Sequence, residues 1–286
     1  MSASPVRNRL LLVAAAVLFS TGGAAIKAAS LSGWQIACFR SGIAALVLIT
    51  ALPAARRGWS WRVAPAATAY AATLIAFVLA NRLTTSANAI FLQSTAPLYL
   101  LLLGPLLLKE PIRRADVFYM LVIAAGLMLF FGGSQPALAT APDPPRGNVI
   151  ALVSGLMYAL TLAGLRWLGR SPEHDAGLAA VAMGNLLACA ATLPMALPVA
   201  SVRAADAAVV LYLGTFQIGL AYVCVTRAMR HVTAFEANAV LLLEPALNPV
   251  WAWMVHGERP PALALTGGAI ILCATLVHTW FDRSSE

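Results

Sequence analysis

One acidic side chain lies deep within an apolar stretch of the sequence. Glu244 is the twelfth residue of the stretch 233–256, and of the eleven Asp and Glu residues it alone lies near the centre of such a stretch. A carboxyl group there can bind an ammonium group or carry a proton. A structural role is equally open, because Pro245 frees a backbone carbonyl and a hydrogen-bonded glutamate could bridge that break to a neighbouring helix.

Further polar and aromatic residues in apolar stretches are candidates for the same binding site. Asn248 follows Glu244 by one helical turn and shares its face, whereas Asn238 shares that face only if the helix is twisted. In an earlier stretch, Gln93 is the side chain that is costliest to bury without a hydrogen bond. The predicted binding residues are Glu244, Gln93, Asn248, Tyr158, Phe19, Ser20, Thr95, Tyr99, Gln217, Asn238 and Phe77.

Several of these candidates also have a structural interpretation. Phe19 and Tyr158 suit the walls of a cavity, but ordinary helix packing explains aromatic residues at such positions equally well. Serine and threonine hydroxyls, such as those of Ser20 and Thr95, more often donate to a carbonyl of their own helix. The residue types alone therefore leave both interpretations open.

Membrane-spanning helices must position these residues. The chain of 286 residues is 60% hydrophobic and only 10% charged, with a mean hydropathy of +0.81, which leaves too little charge to cover a soluble domain. Apolar runs of about 20 residues are long enough to cross a bilayer as helices. The third and seventh runs are the least regular, because Pro65, Asn81 and Pro194 interrupt them. The ten predicted spans are 10–29, 34–53, 64–81, 87–108, 115–133, 147–168, 176–198, 207–228, 233–256 and 262–281.

The sequence offers no catalytic or cofactor-binding arrangement. Its four cysteines, Cys38, Cys189, Cys224 and Cys273, fall within predicted spans at spacings unlike those of a metal site, so we expect buried free thiols. The four histidines are dispersed near span ends, and phosphate-binding and nucleophile motifs are absent. We therefore expect neither an enzyme nor a bound cofactor.

The positive charge is distributed as in a membrane protein. With the N-terminus in the cytoplasm, thirteen of the 19 Lys and Arg residues fall on the cytoplasmic side and five on the opposite side. This bias predicts that both termini are cytoplasmic, and it argues against a nucleic-acid partner despite the net charge of +8. Arg40 lies within the second span. It could bind a carboxylate, but we favour a side chain that reaches the membrane–water interface.

The two halves of the sequence repeat each other. At a shift of 148 positions Pro245 aligns with Pro97, and at a shift of 139 Tyr158 aligns with Phe19. Each half holds five predicted spans, so the second half must enter the membrane from the opposite side. The predicted fold class is an all-α membrane protein with ten transmembrane helices in two inverted five-helix repeats. The predicted domains are 1–134 and 147–286.

Small residues recur at every fourth position along the sixth span. This pattern predicts a helix face that a neighbouring helix can approach closely, although alanine-rich spans produce such patterns by chance as well. The positions are Gly147, Ala151, Gly155, Ala159 and Ala163.

Two prolines and two glutamates are predicted to take part in gating. The prolines bend their helices, with Pro105 and Pro249 as further bends. Each glutamate ends its span beside a basic residue, Lys109 or Arg259, which favours an ion pair that caps or closes a helix end over a contact with substrate. The predicted gating residues are Pro97, Pro245, Glu110 and Glu258.

Both halves resemble the EamA-type branch of the drug/metabolite transporter superfamily. In that branch an apolar span with an internal proline ends in glutamate, as do APLYLLLLGPLLLKE at 96–110 and EPALNPVWAWMVHGE at 244–258. The resemblance covers about residues 10 to 281 and is closest to bacterial exporters of amino acids and aromatic compounds. It implies ten helices, cytoplasmic termini, no use of ATP, and a central cavity lined by the first four helices of each half. Pro105 departs from the commoner pattern of the family.

These features predict a secondary transporter of a bacterial inner membrane that exports small metabolites, in the first place amino acids, including aromatic and hydrophobic ones. A nucleotide-sugar or phosphorylated-metabolite carrier on the same fold is an alternative, but it needs several deep basic residues. A multidrug exporter is another. The expected partners are a small-molecule substrate and the lipid bilayer, with the protein acting as a monomer.

Overall fold

The regular structure of the chain is helical throughout the described residues. The structure is a computed structural model that describes residues 5–107, 114–132, 136–169, 176–199, 201–228 and 240–283. A 3-10 turn, Pro53–Arg56, and a π-helical segment, Leu213–Leu220, lie between α-helices. The helices are α1 (Pro5–Ser20), α2 (Gly22–Ala28), α3 (Gly33–Ala51), α4 (Val63–Leu83), α5 (Ser86–Gln93), α6 (Ala96–Leu107), α7 (Arg114–Gly132), α8 (Pro144–Gly169), α9 (Ala176–Ala196), α10 (Ala204–Tyr212), α11 (Ala221–Ala228), α12 (Leu243–His256) and α13 (Ala262–Arg283).

Seven of the predicted spans appear as helical stretches long and apolar enough to cross a membrane. They correspond to the first four predicted spans and to the sixth, seventh and eighth. The fifth and tenth appear as shorter apolar helical stretches, Asp116–Leu129 and Ala262–Val277, and the ninth lies partly outside the described residues. The total of ten therefore stays a prediction. The seven stretches are Val6–Ala28, Gly33–Ala51, Val63–Leu83, Ser86–Leu103, Pro144–Leu165, Ala176–Ala196 and Ala204–Ala228.

The third and seventh predicted spans are each one continuous helix, although Pro65, Asn81 and Pro194 interrupt their apolar runs. Pro65 lies in the first turn of α4, where its missing N–H costs no helical hydrogen bond. Pro194 lies in the last turn of α9. The Asn81 side chain donates from Nδ2 to the backbone oxygen of Phe77 at 3.0 Å and is accommodated within its own helix.

Two spans of the bundle are interrupted where they face each other. The first span breaks at Thr21, between α1 and α2, and the eighth widens into the π-helical segment. The Thr21 hydroxyl donates to the backbone oxygen of Leu18 at 2.7 Å and lies 2.8 Å from the Tyr212 hydroxyl at the end of α10. Local departures of this kind from α-helix frequently mark functional positions.

Two further breaks lie at matching positions of the two halves. The chain turns at Ser94 before α6, and it turns at Leu242 before α12. These residues are 148 positions apart, as are Pro97 and Pro245, which lie in the first turns of the two helices that follow. Each proline therefore begins a helix after a break instead of bending a continuous one.

Helices of the first half pack mainly on helices of the second half. The main pairs are α4 with α8, α3 with α9, α4 with α9, and α7 with α13. The helix α1 packs on α11 and α12, just as α8 packs on α4, α5 and α6. Exchanging the two halves therefore reproduces the same pattern of helix contacts.

The small residues of the sixth span lie at one of these helix contacts. Ala151 and Ala159 are fully buried on α8. A Cβ added to Gly155 would lie 3.0 Å from the backbone oxygen of Leu92, so a larger residue there would push α5 away from α8. The close approach that the sequence pattern predicts is confirmed.

Candidate functional site

Glu244 faces three tyrosines in the interior of the helix bundle. It lies in the first turn of α12, is partly accessible, and makes no hydrogen bond or ion pair with any residue in the described ranges. The hydroxyls of Tyr70, Tyr158 and Tyr222 lie within electrostatic range of its carboxyl group. These tyrosines belong to α4, α8 and α11, so groups from both halves of the chain converge on Glu244.

Aromatic rings form one wall of this region. Tyr222 meets Phe19 edge-on with ring centroids 5.4 Å apart, and it meets Tyr70 edge-on at 6.1 Å. Such edge-to-face pairs are favourable for aromatic rings. Tyr158 keeps 38% of its surface accessible, so its ring is free to contact a small molecule.

Arg40 supplies a positive charge to the same region. Its side chain is 1% exposed, its Nε atom has no hydrogen-bond partner, and the hydroxyls of Tyr70 and Tyr222 lie within electrostatic range of its guanidinium group. The expectation that Arg40 reaches the membrane–water interface is wrong, because its side chain is enclosed by the inner helices. We refer to Arg40, Tyr70, Tyr158, Tyr222 and Glu244 as the central site.

Two predicted binding residues, Gln217 and Asn248, lie beside the break in the first span. Gln217, in the π-helical segment, donates from Nε2 to the backbone oxygen of Phe19 at 3.3 Å, and its Oε1 has no partner. Asn248 is fully buried with neither amide atom hydrogen-bonded, and a Cβ added to Gly23 would lie 2.8 Å from its Oδ1. Unpartnered buried amide atoms are positions where an ordered water or a ligand atom is expected.

Ser20 and Thr95 use their hydroxyls within the helix bundle. Ser20 donates to the backbone oxygen of Val17 at 2.7 Å and accepts a hydrogen bond from the Trp251 indole at 2.8 Å, which ties α1 to α12. Thr95 donates to the backbone oxygen of Leu92 at 2.6 Å. Both hydroxyls therefore have partners in the protein, as the structural interpretation of these residues expects.

Three more predicted binding residues lie in the fourth span (Gln93 and Tyr99) and in the third (Phe77). The Gln93 side chain donates from Nε2 to the Ser154 hydroxyl at 2.8 Å and so connects α5 with α8. Tyr99 is partly buried beside Thr95. Phe77 is 8% exposed within a hydrophobic cluster, where it packs as a core residue.

A buried ion pair closes one end of the bundle. Lys27 Nζ lies 2.8 Å from Glu258 Oε1, and the two side chains are 2% and 1% exposed. Lys27 also donates to the backbone oxygen of Thr84 at 2.8 Å and to that of Thr140. Glu258 Oε2 accepts a hydrogen bond from the backbone N–H of Ser86 at 2.9 Å, at the start of α5. The partner of Glu258 thus comes from the opposite half of the chain.

Hydroxyl and amide groups extend this ion pair across the bundle. The Thr84 hydroxyl donates to Asn148 Oδ1 at 2.7 Å, and Asn88 Nδ2 donates to the same oxygen at 3.1 Å. The group joins the end of α4 to α5 and α8, so it bridges the two halves. We refer to Lys27, Thr84, Ser86, Asn88, Asn148 and Glu258 as the closing network.

Asn238 and Glu110 lie outside the described residues. Sequence reasoning missed Tyr70 and the role of Lys27. Tyr70 is a mid-span tyrosine like Tyr158, and that likeness could have identified it. Lys27 is the one charge in the stretch 10–29, but its partner Glu258 is so distant along the chain that no local spacing indicates the pair.

The central site supplies a cation, an acid and three phenol groups. These groups can bind a polar ligand by charge and hydrogen bonding. Within the described ranges, His, Cys, Asp and Glu side chains form no group of three that could hold a metal ion. The described cysteines are free thiols, with Cys38 Sγ 3.4 Å from Cys189 Sγ.

The comparisons with known proteins agree with a transport fold. Residues 8–132 and 145–280 both match the profile of the EamA-like transporter family. The chain belongs to this family. It is therefore an integral, multi-pass membrane protein of a family of transporters, and the resemblance that the sequence motifs indicated is confirmed.

Two curated relatives and one solved structure extend this EamA-like match. The chain is 26% identical over 278 residues to the pseudopaline exporter CntI of Pseudomonas aeruginosa strain UCBPP-PA14, covering 93% of this chain and 94% of the relative. The same values hold for the pseudopaline exporter CntI of strain PAO1. A crystal structure of a protein that is 20% identical superposes with a TM-score of 0.63, over 96% of this chain and 98% of that one, and shows a shared fold.

Proposed function

We propose that this protein is a secondary transporter that exports small metabolites, in the first place amino acids, including aromatic and hydrophobic ones, by alternating access. The observation that carries the proposal is the central site. Glu244 lies near three tyrosines and Arg40 near two of them, Tyr70 and Tyr222, and neither charge has a partner within the described residues. Unpartnered ionisable groups within a membrane protein mark substrate and ion pathways.

The architecture that we propose for this transport is ten helices in two inverted five-helix repeats, spanning 1–134 and 147–286. Matching helix breaks at Ser94 and Leu242 support it, and so do helix contacts that stay the same when the halves are exchanged. An inverted repeat can present a midplane site to either side of the membrane by rocking one half against the other.

The proposed orientation places the protein in a bacterial inner membrane with both termini in the cytoplasm. The distribution of basic residues supports this orientation. The closing network then lies on the outer side, and release of substrate requires Lys27 and Glu258 to separate. The network is the proposed outer gate, and Glu110 at the end of the fourth span is a proposed gating residue of the inner side.

The predicted binding residues divide, in this proposal, into those that contact substrate and those that position the site. Glu244 and Tyr158 contact substrate directly, and Phe19 supports the Tyr222 ring. Gln217 and Asn248 supply hydrogen-bonding groups beside the helix break. Residues with internal partners or core packing position the site. The residues in that last group are Ser20, Gln93, Thr95, Tyr99 and Phe77, and Asn238 stays a prediction.

A multidrug exporter is the second candidate function. The observation that favours it is the acidic Glu244 beside aromatic rings, an arrangement that attracts organic cations. Arg40 argues against it, because a cationic drug would face an unpaired guanidinium group. A carrier of nucleotide sugars or phosphorylated metabolites has less support, since among the described deep basic residues Lys27 is already paired with Glu258.

Counterflow in proteoliposomes tests the proposed function. Purified protein is reconstituted with unlabelled solute inside, and the uptake of labelled amino acids, nucleotide sugars and cationic drugs is measured. We expect accumulation of amino acids and none of nucleotide sugars. Accumulation of cationic drugs alone would favour the multidrug exporter, and accumulation of none of the three classes would contradict the proposed function.

Tag accessibility in intact cells tests the proposed architecture independently. Tags at both ends of the chain should stay protected from an impermeant reagent until the membrane is opened. A reagent that reaches one terminus but not the other in intact cells would contradict an even number of spans with both termini inside.

A further inference from the structure

We propose that Arg40 and Glu244 form a two-point site for zwitterions, in which Arg40 binds a carboxylate of the substrate and Glu244 binds its protonated amine. This inference rests on the proposed function and specifies the substrate class of the same site. It assigns to Arg40, on α3 of the first half, the carboxylate-binding role that the sequence analysis raised but did not favour.

The environment of Arg40 is unusual for a buried cation. Its side chain is 1% exposed, no carboxylate in the described ranges pairs with it, and its Nε has no hydrogen-bond partner. A buried charge without a partner is costly, and arginine is among the residues that are almost never fully buried unless paired. Because the planar guanidinium group matches a carboxylate in geometry, a ligand carboxylate is the partner that satisfies it best.

The two opposite charges share neighbours without pairing with each other. Tyr70 and Tyr222 lie within electrostatic range of both Arg40 and Glu244, yet the guanidinium group and the carboxylate form no ion pair with each other. If these groups served only stability, a direct ion pair would satisfy both. A zwitterion between them satisfies both at once and leaves no net charge inside the membrane.

Uncharged groups next to the two charges can complete the recognition. The Tyr70 hydroxyl is buried and has no partner of good hydrogen-bond geometry, and neither has the nearby Asn185 Oδ1. Together they offer a donor and an acceptor to the polar part of a ligand. The edge-to-face rings of Tyr70, Tyr222 and Phe19 offer an apolar surface to its side chain.

This arrangement makes a specific prediction about ligands that lack one charge. A carboxylate without an amine leaves Glu244 unpaired, and an amine without a carboxylate leaves Arg40 unpaired. A site built for a polar group rejects an analogue that lacks it, because its own buried group stays unsatisfied. Each loss should therefore weaken binding by about tenfold to a hundredfold.

Competition binding on wild-type protein tests the ligand side of the inference. Detergent-purified protein is incubated with labelled phenylalanine and competed with unlabelled phenylalanine, phenylalanine methyl ester, phenethylamine or 3-phenylpropionate. We expect phenylalanine to compete at least about tenfold better than each of the three analogues. Equal competition by the ester or phenethylamine would overturn the role of Arg40, and equal competition by 3-phenylpropionate would overturn that of Glu244. No substitution is needed, so the result does not depend on a variant that folds.

Substitutions test which residue recognises the carboxylate of the ligand and which recognises its amine. Arg40→Gln should lose the preference for phenylalanine over its methyl ester, whereas Glu244→Gln should lose the preference for phenylalanine over 3-phenylpropionate. Arg40→Lys keeps the positive charge and should retain part of the first preference. Arg203→Gln, which alters a side chain that is 63% exposed, is the control and should bind like wild type.

Failure of this inference is distinguishable from failure of the proposed function. If wild-type protein exchanges amino acids in proteoliposomes but Arg40→Gln keeps the wild-type preference for carboxylates, the two-point site is wrong and the transporter stands. If labelled phenylalanine and a panel of other labelled zwitterions neither bind nor exchange, both are wrong. Size-exclusion elution as a single sharp peak establishes that each variant is folded before it is compared.

Discussion

Within the described part of the chain, buried charged residues have partners in one region of this molecule, the closing network, and lack them in another, the central site. In the closing network, Lys27 and Glu258 are buried and have each other, backbone groups and a helix N-terminus as partners. In the central site, Arg40 and Glu244 are enclosed by the bundle but have no partner within the described residues. Charges that the protein satisfies hold helices together. Charges that it leaves unsatisfied are available to a ligand, at a cost to stability.

The largest loss of stability is expected when one charge of the closing network is removed. Lys27→Met leaves Glu258 buried without its counter-charge and should destabilise the protein by about 3–5 kcal/mol. Thermal or SDS-induced unfolding of the purified protein measures this loss. Arg203→Met is the control, because Arg203 is 63% exposed and its partner Asp206, although buried, keeps two hydrogen bonds from Ser30, so the loss should be smaller. Equal losses in the two variants would contradict the distinction between a buried and an exposed cation.

The next largest loss of stability is expected when a side chain is added at Gly23, beside the break in the first span at Thr21. A Cβ at Gly23 would lie 2.8 Å from both Asn248 Oδ1 and Ser86 Oγ, so Gly23→Ala should destabilise the protein by about 1–3 kcal/mol. Gly177→Ala is the control, since the nearest atom to its Cβ would be 3.8 Å away. The same unfolding measurement should show no loss for the control. A neutral Gly23→Ala would mean that the contact between α2 and α12 is looser than the structure shows.

Removing a charge from the central site should act on stability with the opposite sign. Arg40→Met replaces an unpaired buried cation with an apolar side chain, so we expect the unliganded protein to gain about 0.5–2 kcal/mol. Unfolding and counterflow are measured on the same preparation, and transport of amino acids should fall while stability rises. A loss of stability as large as that of Lys27→Met would show that Arg40 is a structural residue.

The smallest effect on stability is expected at the tyrosines. Tyr70→Phe removes a hydroxyl without a good partner, so unfolding should change by less than about 0.5 kcal/mol while the KM for amino acids rises. Tyr119→Phe is the control, because its hydroxyl lies 3.1 Å from the Thr275 hydroxyl between α7 and α13. That variant should lose about 1 kcal/mol and keep the wild-type KM. The reverse pattern would remove Tyr70 from the binding site.

The closing network and the central site also differ in how far they can be predicted from the sequence. The helical fold and the solitary Glu244 follow from composition and position along the chain, since long apolar runs and a lone acid are visible in one dimension. The Lys27–Glu258 pair joins residues that are 231 positions apart, so no local spacing indicates it. The burial of Arg40 depends on which helix face meets α4 and α11. The sequence leaves that open, because each predicted span is apolar on most faces.

Counterflow of labelled phenylalanine by wild-type protein and by Glu244→Gln tests the central claim most directly. The wild-type protein should accumulate label, and the variant should elute as a folded protein but transport at least about tenfold more slowly or with an altered pH profile. Wild-type rate and pH profile in the variant would contradict the claim and leave Glu244 with a scaffold role alone.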